Sequence, residues 1–265
     1  LVGSEMCIRD SYIIMKLSIS KGELNKTLIL PKLEKLKYHY ENGDIPLLKE
    51  HEVNPGLPIG SRENYLYYVM TCCLNFQRLS PNTWKAALAT WMDKDTNYVF
   101  FPEKSGTVDI EQLRKDLLKH RLALQPNKHT DIWSRIQNTF HSKFEDDPRK
   151  LFEMADFDAV KVLQILQKDM KKDFPYLSGL KLSNYFFFIL LHYSDLKLKN
   201  VNNISIIPDT HIMKATKELG ILEEGINPKT VEEAWINLLS GTKYSPIEFH
   251  SILWNWSRNK FQPTV

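Results

Sequence analysis

Two side chains in this sequence carry groups that can act together as a nucleophile and its electrostatic partner: the amine of Lys181 and the carboxylate of Asp209. Lys181 follows the turn Leu177-Ser178-Gly179-Leu180 and precedes the apolar run of residues 185–191. Asp209 follows Pro208 at the start of another predicted helix, a strong N-cap position. A lysine amine attacks an electrophilic carbon to give a Schiff base, but only when neutral, and in water a lysine loses its proton only near pH 10.4, to about half a unit. Burial against an apolar helix and the positive end of a helix dipole both favour the neutral form. The carboxylate would stabilise positive charge or move a proton. The plainer roles are a surface lysine at a helix start and an aspartate that only caps.

Other chemistries lack their signatures. There is no G-x-S-x-G nucleophile, no Gly-rich phosphate loop and no zinc-ligand spacing, so neither a metal nor an organic cofactor is expected. His211, beside Asp209, reads as a helix-surface residue rather than half of a hydrolytic dyad. The turn at Gly179 offers backbone N–H groups at a helix start, where a phosphate can sit.

The elements that must position these groups read as helices. Apolar spacing predicts a helix over residues 24–40 that is kinked or split at Pro31, then a long loop over 42–60. Ser61 caps a helix over 62–79, ended by Ser80-Pro81, and Trp84, Leu88 and Trp91 share one side of the next. Residues 97–102 read as a short extended piece. Asp109 with Gln112 opens a helix to about 123; others cover 130–144 and 157–170. Thr230 with Glu233 and Ser245 with Glu248 form two capping boxes, and the tail 261–265 is expected to be loose. Ten or so helices with no convincing strand predict an all-α protein.

Composition sets the outer bounds. With 43% hydrophobic and 25% charged residues the chain is expected to be an ordinary soluble globular protein. Its longest apolar run is far short of the ~20 residues that span a bilayer, so no membrane partner is expected. Three cysteines, two of them adjacent at 72 and 73, suit an intracellular, reducing location in cytoplasm or nucleoid and exclude a four-cysteine iron–sulfur cluster within this chain. The net charge of +3 is small, but residues 161–200 hold seven lysines against three aspartates. That surplus flanks Lys181. Residues 1–14 lack the pattern of a secretory signal and resemble translated sequencing-adapter text, so the segment is expected to be non-native or disordered. The remainder, 15–265, is expected to form one helical domain.

The string ending in Lys181, the apolar helix after it and Ile207-Pro208-Asp209-Thr210-His211 together resemble the hairpin, lysine and aspartate signature of helix-hairpin-helix DNA glycosylases. Within that superfamily the likeness is to the archaeal-type 8-oxoguanine DNA glycosylase/lyases. It extends to the aromatic-rich segment 65–78, to Trp84, and to Phe249-His250-Ser251-Ile252-Leu253-Trp254. The resemblance covers roughly residues 62–259 and is clearest in the last third.

This resemblance implies two helical lobes around a cleft, with the helix-hairpin-helix region at about 160–220. It implies a monomeric DNA base-excision repair enzyme, a bifunctional N-glycosylase and AP lyase acting on damaged duplex DNA with a flipped base. Lys181 would be the nucleophile toward the sugar C1′, Asp209 its partner, and an oxidised purine such as 8-oxoguanine the substrate. Trp84 and Trp254 fall where the family has its base-sandwiching tryptophans, and such stacking contributes ~1–3 kcal/mol per base. His250 stands where the family's base contact is an aspartate, and Phe188 replaces a second pocket lysine. Gly179, Lys171, Lys172, Lys197 and Lys199 would hold phosphates. Two other functions stay open: a helix-hairpin-helix DNA-binding protein without chemistry, and a nucleoside hydrolase similar to queuosine-salvage enzymes.

Overall fold

The computed structural model describes residues 26–46 and 54–265, so the expectations for residues 1–14 lie outside the described residues. Its helices are α1 (residues 26–41), α2 (Arg62–Cys73), α3 (Ser80–Met92), α4 (Pro102–Ser105), α5 (Ile110–Lys119) and α6 (Pro126–Lys143). There follow α7 (Arg149–Met154), α8 (Ala159–Gln164), α9 (Leu180–Tyr193), α10 (Thr210–Glu218), α11 (Pro228–Leu239) and α12 (His250–Arg258). Among the described residues the one β pairing is an isolated bridge between Asp158 and Lys199. The protein is all-α. None of its described helices is long and apolar enough to cross a membrane.

The described residues divide into two compact units, one of residues 54–207 and one joining 26–46 to 208–265. In the first, α2 and α9 pack on each other and both are covered on every side: residues 64–73 and 182–190 are buried throughout. A helix apolar all round belongs in a core, and these two form it. Tyr67 and Tyr68 of α2 meet Trp84, Trp91 and Phe100 edge-on or tilted, and Trp133 of α6 closes the cluster on Phe100. Cys72 and Cys73 are buried thiols of this core. In the second unit α10 packs on α12 and α11, with Ile212, Trp235, Phe249 and Leu253 buried.

Several boundaries differ from those read in the sequence, each for a local reason. Residues 26–41 are helical straight through Pro31, because one missing N–H is outweighed by the burial of Ile29, Leu33 and Leu36. Helix α2 stops at Cys73, and Ser80-Pro81 opens α3 rather than ending α2: proline is tolerated in a first turn, where its N–H would be unpaired anyway. Residues 97–100 form a 3₁₀ turn, not an extended piece. Helix α11 begins two residues before Thr230, with Asn227 capping and Thr230 completing the box. Ser245 and Glu248 do form their box, opening a 3₁₀ turn that runs into α12. The tail is anchored: Trp256 Nε1 donates to the Pro263 carbonyl at 2.8 Å and Lys35 Nζ to that of Thr264 at 3.1 Å.

Candidate functional site

The segment before Lys181 is a hairpin between α8 and α9. Helix α8 widens at its end into a π turn, Ile165–Asp169, closed by Met170 N–H donating to the Ile165 carbonyl at 2.8 Å. The chain then reverses, with Phe174 and Leu177 wholly buried as its anchors. Gln167 of one arm donates to the Ser183 hydroxyl of the other at 3.1 Å. Tyr176 sits in the left-handed region, φ 66°, a backbone that a non-glycine residue adopts only when something holds it. What holds it is Phe76, stacked on the Tyr176 ring at 4.1 Å and 8° between planes, with Lys128 Nζ about 5 Å from both rings.

Gly179 caps α9 with an ordinary φ of −82°, and a Cβ there would touch only the Tyr176 carbonyl at 3.4 Å. Its own N–H donates to that carbonyl at 3.1 Å, and no side chain caps the first turn of α9. Lys181, on that turn, is exposed, as is Leu180. The expectation that burial against the apolar run holds the amine neutral is therefore corrected: the buried stretch starts at Leu182, one position later. Among the described residues Lys181 has no ion-pair partner.

Asp209 lies in the other unit, as the N-cap of α10. Its Oδ1 accepts the backbone N–H groups of His211 and Ile212, both at 2.9 Å, and its Oδ2 accepts from Trp254 Nε1 at 3.0 Å. The Trp254 ring is half-buried, with the Arg258 guanidinium 4.8 Å over it and the His211 ring edge-on at 5.4 Å. His211, at the helix surface, is half-buried; its Nδ1 lies 3.2 Å from the Ser257 hydroxyl, and desolvation lowers its pKa against the pull of Asp209. Tryptophan and aspartate thus form one unit of structure. Nothing in their spacing of 45 residues signals that bond.

The remaining expected pocket residues fare differently. Trp84 is 1% exposed and donates its indole N–H to the Tyr185 hydroxyl at 2.7 Å, so both of its faces belong to the core and none is open to a base. That corrects the stacking role read for it. Phe188 is also buried, its ring 4.3 Å from that of His192, and His250 is buried at the start of α12. Lys171, Lys172, Lys197 and Lys199 are all exposed or half-exposed. By contrast Lys161 is neutralised by Asp156, while Asp173 is taken up by Lys143 from outside the 161–200 stretch, so the local basic surplus is unchanged. The hub at Tyr185, which also lies 2.7 Å from the Ser80 hydroxyl, escaped sequence reading because a tyrosine inside an apolar run looks like plain core.

No family model matches this chain. No curated protein matches it either.

Proposed function

We propose that the protein is a helix-hairpin-helix DNA glycosylase with AP lyase activity, acting on an oxidised purine. The observation that carries this reading is Lys181: an exposed amine without an ion-pair partner among the described residues, on the first turn of a helix that no side chain caps and that follows a tied hairpin. The exposed first-turn N–H groups, with Lys171, Lys172, Lys197 and Lys199, supply sequence-independent phosphate contacts. Two lobes around a cleft would let DNA bring a flipped nucleotide to the amine, and the closing of bound DNA over Lys181 would supply the desolvation that the free protein lacks. The amine attacks C1′, the base departs, and the resulting Schiff base permits strand cleavage by elimination. Asp209 stabilises the cationic sugar, and Trp254 sets the direction of its carboxylate.

A non-catalytic DNA-binding protein is favoured by one observation. Both Asp209 oxygens already accept hydrogen bonds, as a purely capping residue's would. Base release and strand nicking on an 8-oxoguanine duplex decide between the two: the excision reading requires both products, and binding without either product supports the rival.

A further inference from the structure

A pocket of about 300 Å³ opens in the 54–207 unit, between the start of α2, α7 and the segment after α9, and the excision reading uses only Lys197 among its walls. Its floor is apolar, formed by the buried Phe152 and Leu196. Two carboxylates and two cations line it, so its formal charge is zero.

Half of those charges are already committed. Arg149 grips Asp147 through Nε and a terminal nitrogen and donates to the Gly60 carbonyl at 3.2 Å, while Glu153 accepts from Lys150 at 2.9 Å. Asp195 and Lys197 remain. Tyr65 donates its hydroxyl to Asp195 Oδ1 at 2.9 Å, which fixes the carboxylate in the pocket wall and leaves Oδ2 without a hydrogen-bond donor among the described residues. That oxygen lies against Gly60, where a Cβ would come within 2.5 Å of it, so only glycine, here at φ 82°, admits the carboxylate to this place. Lys197 pairs neither with Asp195 nor with any other described carboxylate. At the mouth Asp156 and Phe157 are both left-handed, φ 53° each, a costly backbone for two successive non-glycine residues. The result is a Phe157 ring left 43% exposed on the rim.

We propose that this pocket binds a small zwitterion, an α-amino acid with an aromatic or bulky aliphatic side chain. Its ammonium meets Asp195 Oδ2, its carboxylate meets Lys197, and its side chain rests on Phe157 and the apolar floor. Two opposite, mutually unpaired charges in one pocket match an ammonium and a carboxylate on one carbon. A phosphate would sit beside Asp195 and Glu153, and a plain cation beside Arg149 and Lys197, so like charges oppose both. The volume is at the low end for ligand clefts and suits a single amino acid. The proposal stands apart from the excision reading, and neither one's failure touches the other.

Isothermal titration of the full chain with L-phenylalanine, N-acetyl-L-phenylalanine and L-phenylalaninamide tests it, each derivative lacking one of the two charges. Phenylalanine is expected to bind, with each derivative at least tenfold weaker. Asp195→Asn, which keeps an acceptor for Tyr65, and Lys197→Met, at a position where the charge makes no ion pair that folding needs, should each weaken phenylalanine at least tenfold. No binding of phenylalanine, equal affinity for the three compounds, or unchanged affinity in Lys197→Met overturns the proposal.

Discussion

Trp254 donates its indole N–H to Oδ2 of Asp209 at 3.0 Å, while Oδ1 of the same carboxylate accepts the two backbone N–H groups that open α10. Three donors leave the side chain little rotational freedom. A helix cap, which alone would tolerate a swinging carboxylate, is thereby turned into a directed charge.

Replacing Trp254 with phenylalanine keeps an aromatic ring beside His211 and removes the N–H. Losing a hydrogen bond to a charged group is expected to cost about 1.5–3 kcal/mol, less where water reaches the oxygen. Urea unfolding should show a loss within that range, and single-turnover excision should slow about tenfold because Asp209 is no longer aimed.

Asp209→Asn and Asp209→Ala separate capping from chemistry. Asparagine is as good an N-cap as aspartate, but its amide nitrogen cannot accept from Trp254, so the first variant should lose about the 1.5–3 kcal/mol of that bond, whereas alanine loses the cap as well, about 1–2 kcal/mol more. Excision should fall at least a hundredfold in both. Equal loss of activity with unequal loss of stability is the pattern to look for in paired unfolding and kinetic measurements.

Much of this was legible in the sequence, and the reasons divide cleanly. The all-α class, the caps at Ser61, Asp109, Asp209 and Ser245, and the apolar helix after Lys181 follow from local periodicity and capping chemistry, which act over three or four residues. Burial of individual residues does not follow from such local rules. Trp84 carries the same aromatic ring as Trp254, yet one is sealed under Tyr185 and the other faces Arg258, a difference set by residues about a hundred positions away in the first case. Lys181 stays exposed because it sits on the first turn of α9, where the helix emerges from the packing that covers every residue from 182 to 190. The left-handed Tyr176 was invisible for a similar reason: no sequence rule places a tyrosine there, and only the Phe76 stack explains it.

His129, buried in the first turn of α6, predicts acid-sensitive stability. It is 1% exposed, its Nδ1 accepts the Leu124 N–H at 3.1 Å, and its ring lies 5.1 Å from Phe76. Burial, aided by Arg78 and Lys128, lowers its pKa from 6.5 to about 4. Between those two values the unfolded chain binds a proton that the folded chain refuses, so stability falls as pH falls through this window. The loss is on the order of 2–3 kcal/mol, complete below the folded value and absent above the unfolded one. Melting temperature measured from pH 7 to pH 4 should drop accordingly, and His129→Gln should flatten that part of the slope.

Gly60→Ala tests the close approach of Asp195 to the start of α2. With φ 82° and a Cβ that would come 2.5 Å from a carboxylate oxygen, the variant should lose about 2 kcal/mol or more, read by urea unfolding.

Borohydride reduction in the presence of an 8-oxoguanine or abasic duplex traps any amine joined to C1′ as a stable protein–DNA adduct. The account predicts a one-to-one adduct whose peptide map carries the sugar on Lys181, absent from Lys181→Ala and retained in Lys172→Ala. No adduct with the parent protein, or an adduct that survives Lys181→Ala, contradicts it.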